Sequence, residues 1–341
     1  MPFPCLFLSP PRVVLPALRL SNQDVIDEVR SRFRGADSDW PPIEAGIRHV
    51  FDRCGSAWRH LDRDPSTRVA AFAARAARLS LDDASLAAGA LDLVLYGGIA
   101  REYLEPATAM ELSHNLGVET VHAFDVTSAC VGLLEAIHVA AGRFAVHDEM
   151  RYALIATGEL TREYLAYDVQ TVDELTHRAA GLTIGNAAAS VLIGRTPFPG
   201  GSGRLVGFRS TAVPRHFALC QVPVGGAFTS FSADLFRLHG LVPPEIRALL
   251  ADIGWSLDSV DHFVFHQPSD TMLRRVVAEL GVPPERAPAL HSVCGNTVSA
   301  AIPVTLRHLL DRGAIKPGDR VICATAAAGL SIAVAALEWC A

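Results

Sequence analysis

Short continuous apolar runs alternate along the chain with longer stretches whose apolar residues recur at helical spacing, a pattern that predicts an α/β fold. Ser21-Asn22-Gln23-Asp24 opens a predicted helix that runs to about Phe33, because Ser21 can cap free amide donors and Asp24 suits the positive end of a helix. Small apolar residues from Arg68 to Leu79 predict a second helix, extended by Leu81 to Ala90, and LDLVLYGG from Leu91 to Gly98 reads as a buried strand ended by glycines. The alternation continues with a strand from His122 to Val126, a helix from Cys130 to about Phe144 and a strand from Tyr152 to Thr157. A polar insertion follows, then a strand from Ala189 to Ile193. Met1 to Leu20 is apolar, but Pro2, Pro4, Pro10, Pro11 and Pro16 break any leader helix, so a strand followed by a turn is predicted.

A second round begins after the Pro/Gly-rich segment Pro197 to Gly203 and repeats the first in kind and order. Cys130 starts a helix that reaches Gly142-Arg143-Phe144, and eight residues past Arg143, Arg151 introduces RYALIATG. Val298 starts a helix that reaches Asp311-Arg312-Gly313, and eight residues past Arg312, Arg320 introduces RVICATAA. Cys130 and Ser299 lie thirteen residues before Arg143 and Arg312, and the strand Asp92 to Gly98 has a counterpart in Asp261 to Gln267. This predicts two duplicated halves, residues 1–199 and 200–341, related by a pseudo-twofold so that strand ends and helix starts from both converge on one crevice.

Composition narrows the chemistry. Half of the residues are hydrophobic and 19% are charged, which suits a packed core, and the net charge of −6 comes with scattered arginines and no basic block, so nucleic acid is not an expected partner. The seven cysteines are odd in number and contain no Cys-x-x-Cys pair, which argues against a disulfide framework and against zinc and fits a reducing cytoplasm. No uninterrupted apolar run of about 18 residues appears, so no membrane span is predicted.

Three residues at strand-to-helix junctions are candidates for chemistry. Cys130, in Asp125-Val-Thr-Ser-Ala-Cys130-Val-Gly132, faces free amides and the positive end of a helix, which favour a thiolate; by position alone it fits a buried structural cysteine equally well. His266 ends the apolar strand His262 to Phe265, and Asn296 lies in the glycine-marked turn Cys294-Gly295-Asn296-Thr297. A lone histidine is ordinarily a satisfied one, and an asparagine before a helix is ordinarily a cap. Together the three compose an acyl-transfer site: a thiol nucleophile, backbone amides near Cys130 and Gly329 for the oxyanion, and imidazole and amide donors for a developing enolate oxygen. Asp125 reads as a strand-end residue, and Glu159 and Glu163 are assigned no chemistry. Gly225-Gly226 and Phe228 to Phe236 fit either a pocket wall or plain core, with apolar spacing favouring core.

These motifs, Ser-Ala-Cys130-Val-Gly, His266-Gln267 and Gly295-Asn296-Thr297 followed by Ala301-Ile302-Pro303, resemble the thiolase superfamily, specifically β-ketoacyl-acyl-carrier-protein synthase III and its relatives, from about Val13 to Trp339. The resemblance implies a five-layered α/β/α/β/α fold, a homodimer and a Cys-His-Asn triad that needs no metal or organic cofactor, with CoA or acyl-carrier-protein thioesters as substrates. Cys54-Gly-Ser-Ala-Trp58-Arg59-His60 is similar to the family segment near the CoA channel. The chain departs from the family's glycine-rich turns at Gly185-Asn186-Ala-Ala-Ala189 and Ala326-Ala-Ala-Gly329, and has His-Gln-Pro-Ser in place of His-Gln-Ala-Asn, which points to specialised metabolism rather than housekeeping fatty-acid initiation. Arg101-Glu-Tyr-Leu-Glu105-Pro-Ala-Thr108 resembles the segment of the head-to-head condensing enzymes of olefin biosynthesis, in which a glutamate acts as base across the dimer interface; the resemblance makes Glu105 a candidate base beside its reading as an exposed loop acid.

The expected activity is therefore acylation of Cys130 by a thioester, followed by transfer to a malonyl or β-keto thioester, a second fatty acyl-CoA, or an alcohol or amine. Asn296 favours carbon-carbon condensation. A non-catalytic partner subunit and a cysteine hydrolase are the competing readings.

Overall fold

The computed structural model describes residues 5–341 except 163 and 166, so Glu163 lies outside the described residues. Ten strands form the main sheet: β1 (Phe7–Leu8), β2 (Arg12–Val14), β3 (Leu93–Tyr96), β4 (His122–Asp125), β5 (Tyr152–Glu159), β6 (Ala187–Gly194), β7 (Ser202–Ala212), β8 (His262–Phe265), β9 (Arg320–Ala327) and β10 (Ser331–Cys340). Their order is β8-β9-β10-β7-β1-β6-β5-β3-β4, with β2 also on β6. β3 runs parallel to both β4 and β5, and β8 runs parallel to β9; β5–β6 and β9–β10 are antiparallel.

Alternation along the strands sorts the side chains into layers. Leu93 and Leu95 of β3, Val264 of β8, and Val321 and Cys323 of β9 point into a central cluster with the helices Gly132–Val146 and Ala301–Asp311. Val94 and Tyr96 face the opposite way, onto the alanine-rich helix Val69–Asp83, and Phe263, Phe265, Ile322 and Ala324 face the helices Val242–Asp252 and Asp270–Leu280. The result is outer helices, sheet, central helices, sheet, outer helices. Ala129–Val146 is apolar and long enough to cross a membrane by length and composition, yet its Leu133, Leu134, Ile137 and Phe144 are packed in the central layer.

The two halves share a specific tie. Arg151 N–H donates to the Asp92 carboxylate at 2.7 Å and Arg320 N–H donates to Asp261 at 2.8 Å, each pair 59 positions apart. Two differences bear on the site. A short helix, His291–Cys294, stands in the second half where the first has β4, and residues 160–186 intervene between β5 and β6 where β9 and β10 are joined by a short turn. At the entrance to the first half, Ser21 and Asp24 form a reciprocal capping box on the helix Asn22–Arg32.

Candidate active site

Cys130 sits where β4 hands over to a helix. Asp125 ends β4 and its carboxylate accepts from Thr108 N–H at 2.9 Å and Ala109 N–H at 2.8 Å, so it anchors the neighbouring helix start. The chain then turns through Ala129, whose φ of 47° is left-handed and costs about 1–2 kcal/mol for a residue with a Cβ. The helix start can approach β3 closely only because both surfaces are glycine: a Cβ on Gly97 would lie 2.6 Å from the Gly132 carbonyl oxygen. Cys130 is packed by protein on all sides but the cavity it lines.

His266 follows β8 directly, with its N–H bonded to Ala324 O at 3.0 Å. Gln267 holds this junction. Its side-chain amide donates to Pro288 O at 2.8 Å and to Thr305 Oγ1 at 3.2 Å, while its side-chain oxygen accepts from the N–H groups of Leu290 at 2.6 Å and His291 at 3.2 Å. Behind it, His291 Nδ1 donates to Gln267 O at 3.0 Å and His291 Nε2 accepts from Ser56 at 2.6 Å. Ser269 caps the next helix through Met272 N–H at 3.1 Å, so the Pro-Ser ending of this motif makes a helix start. Burial, and secondarily the nearby His291, push His266 down to about 4, and burial pushes His291 down to about 4. Both rings are therefore neutral near pH 7.

Asn296 is clamped by its backbone. Its N–H donates to Thr183 O and its carbonyl accepts from Gly185 N–H, each at 2.9 Å, in a parallel bridge with Ile184. Two glycines permit this: a Cβ on Gly185 would lie 2.2 Å from Cys294 O, and one on Gly295, with φ of 71°, 2.6 Å from Thr183 O. The side-chain oxygen of Asn296 accepts from Val298 N–H at 3.0 Å, which is a cap and leaves the side-chain NH₂ as the group with donors to offer the cavity that Asn296 lines. Val298 is itself left-handed, with φ of 55°.

Cys130, His266 and Asn296 thus line one cavity of about 840 Å³. Its walls are largely apolar, with Val50, Leu175, Phe228, Leu235, Phe236 and Met272 among them, and Arg53, Arg237 and Arg275 add positive charge. Phe228, Ser230, Ser232, Ala233, Leu235 and Phe236 line this wall and belong to none of the core clusters, so the expectation of plain core fails there. Ala326, Ala327, Ala328 and Leu330 line the cavity, and Gly329 between them does not. Glu105 is exposed beside Leu104, which is 77% exposed, and does not line its own chain's cavity. Cys220, on the hairpin that pairs Cys220 with Ser230, also lines the cavity, a placement for which its sequence carries no signal.

One expectation is corrected. Burial, followed by the nearby Cys220 and Glu159, pushes the Cys130 thiol up, against the lowering expected from the helix terminus. A neutral thiol and a neutral imidazole share the cavity, and the nucleophile has to be made as the proton leaves.

Residues 250–339 match the family described as 3-oxoacyl-[acyl-carrier-protein (ACP)] synthase III C terminal. Over 284 residues the chain is 28% identical to an acyl-CoA:acyl-CoA alkyltransferase of Xanthomonas campestris pv. campestris, covering 81% of this chain and 84% of that protein. It is 29% identical over 306 residues to β-ketoacyl-[acyl-carrier-protein] synthase III 3 of Streptomyces coelicolor, covering 84% and 87%. An OleA variant of Xanthomonas campestris, solved with bound lauric acid and lauroyl-CoA, superimposes with a TM-score of 0.89 at 24% identity over 99% of this chain and 100% of that one. That likeness establishes the fold.

Proposed function

We propose that the chain is a β-ketoacyl-ACP synthase III-like condensing enzyme that works, on its thiolase fold, through an acyl-Cys130 intermediate built from a long-chain acyl thioester. The carrying observation is that Cys130, His266 and the freed amide of Asn296 open onto one apolar cavity, at the upper end of the size range of small-molecule sites. In the first half-reaction the Cys130 sulfur attacks the thioester carbonyl, its proton passes to His266, and the carrier thiol leaves with that proton. In the second, a carbanion from a second thioester attacks the acyl-Cys130 carbonyl and the cysteine sulfur departs. Asn296 and His266 donate to the enolate oxygen of that carbanion. The thioesters carry the activation, so the chemistry calls for no metal or organic cofactor. Arg53, Arg237 and Arg275 suit the anionic carrier, whether CoA or an acyl carrier protein.

The carbanion has two sources. Decarboxylation of a malonyl thioester needs no base, whereas a second fatty acyl-CoA does. The second source draws support from the similarity to the acyl-CoA:acyl-CoA alkyltransferase and from the exposed Glu105, which has to serve a neighbouring chain if it serves a cavity at all. A homodimer fits this, since β4 ends the sheet and the Glu105 loop carries the exposed Tyr103 and Leu104. We also place the enzyme in specialised metabolism and in the cytoplasm, which the seven free cysteines favour.

The test is product analysis with lauroyl-CoA alone and with lauroyl-CoA plus a malonyl thioester. A β-keto product in either mixture supports condensation, and a product from lauroyl-CoA alone that is lost in Glu105→Gln assigns that residue as the base. Free lauric acid as the sole product in both mixtures contradicts it and makes the protein a hydrolase.

A further inference from the structure

One wall of the cavity is the helix Trp40–Cys54, which presents Gly46, His49, Val50 and Arg53 to it at the spacing of a single helical face. Gly46 stands mid-helix with an ordinary helical backbone, where glycine is less favourable than alanine and no turn calls for it. A neighbour accounts for it: a Cβ on Gly46 would lie 2.6 Å from Leu175 Cδ2. Leu175 belongs to the helix Val172–Arg178, inside the insertion between β5 and β6, and it lines the cavity as well. It is buried and shares a packed cluster with Ile43, Ile47, Tyr167 and Ala179. The tip of the leucine therefore occupies the notch that the absent side chain leaves.

Close packing turns this contact into a matter of specificity. A methyl group added at Gly46 displaces the Leu175 tip, and with packed side chains around the leucine the void open to it is the cavity. The helix face also divides by chemistry. Arg53 lies about 10 Å along the axis from Gly46 and, with Arg237 and Arg275, suits the anionic carrier. Around the notch, Gly46, Val50, Leu175 and Ala179 offer carbon without charge, with His49 exposed at the rim, and these are the surroundings an alkyl tail favours. We propose that Gly46 is a specificity-determining residue: by letting Leu175 withdraw into the helix surface, it sets the length of acyl tail that the cavity accepts. This inference rests on the acyl-Cys130 reading above and names the feature that selects its substrate.

The test is a competition among equimolar octanoyl-, lauroyl- and palmitoyl-CoA, read as the intact masses of the acyl-Cys130 adducts after brief exposure. Gly46→Ala lowers the ratio of palmitoyl to octanoyl adduct roughly tenfold, the effect of one or two methylene groups losing their burial. Gly46→Ala combined with Leu175→Ala returns the ratio to the wild-type value or above, because the displaced side chain is gone. Leu175→Ala alone, which asks for no new space, raises the ratio about threefold or more. An unchanged ratio in Gly46→Ala, or a fall that the double variant does not reverse, overturns the proposal. An equal loss of all three adducts overturns it too, since that places the carrier at the notch. Where Gly46→Ala does not fold, an unchanged ratio in Leu175→Ala overturns it and a raised one supports it. Absence of any adduct on wild-type Cys130 overturns the functional reading and this inference with it, whereas adducts in unaltered proportion overturn the inference alone.

Discussion

Ala129-Cys130 in the first half and Val298-Ser299 in the second are built alike and used differently. In each, a left-handed residue, at φ of 47° and 55°, precedes one tight turn and then a central helix. Cys130 opens onto the cavity, whereas Ser299 is 2% exposed and its hydroxyl is taken by Glu159 and Thr157. Backbone strain of this kind aims a side chain, but it does not by itself make a nucleophile. The difference lies in what is left over: the first junction presents an uncommitted sulfur to a void, and the second commits its hydroxyl to holding the halves together.

The sharpest way to break the contrast is to give the first junction the chemistry of the second. Cys130→Ser lowers acyl transfer by about 10³ or more with little change in stability, because the hydroxyl is a far weaker nucleophile beside a neutral imidazole. Measured single-turnover rates near wild type are incompatible with the assigned role. Asn296→Ala comes next, with condensation falling about 10²–10³-fold while Cys130 still takes an acyl group, since the enolate donor is lost together with the cap on Val298 N–H. A variant that loses acylation as fully as condensation points to a collapsed turn instead.

A smaller effect, on stability, follows from the glycine contacts under Asn296. Gly185→Ala places a methyl group 2.2 Å from Cys294 O and costs about 1–3 kcal/mol, visible as a lower denaturant midpoint. A pH dependence is the remaining effect. His266 and His291 are held near 4 in the fold against 6.5 for a free imidazole, so the unfolded chain binds more protons between those values. Stability from these two rings is complete above about pH 6.5 and is lost as pH falls toward 4. Denaturant titrations at several pH values check this, and His291→Gln flattens the slope where a wild-type slope in this window exists.

Much of this was legible in residue order. The helix beginning at Asn22, the strands β3, β4, β5, β6 and β8, and both central helices follow from apolar periodicity and from Ser21, Gly97 and Gly98, because those signals are local. Strand ends shifted both ways: β5 reaches Glu159 and β6 spans Ala187–Gly194 because their pairing continues past the apolar runs, whereas β3 is confined to Leu93–Tyr96 within the run from Leu91 to Gly98. The three junction residues stood out for the same local reason. Three things were hidden. The cavity cap from Phe228 to Phe236 looks like core, because an apolar residue facing a void and one facing a neighbour carry the same pattern. The direction of the Cys130 shift depends on how many atoms surround the sulfur, which spacing does not encode. Glu159 draws its partners from residues 99, 100, 157 and 299, and only the folded chain brings them together.

The most direct measurement is the intact mass of the protein after brief exposure to lauroyl-CoA. The account predicts one added lauroyl group, located on Cys130 by peptide mapping, retained in Asn296→Ala and absent in Cys130→Ala. An acyl group found on Cys220 or any other residue, or no adduct under conditions in which lauroyl-CoA is consumed, contradicts it.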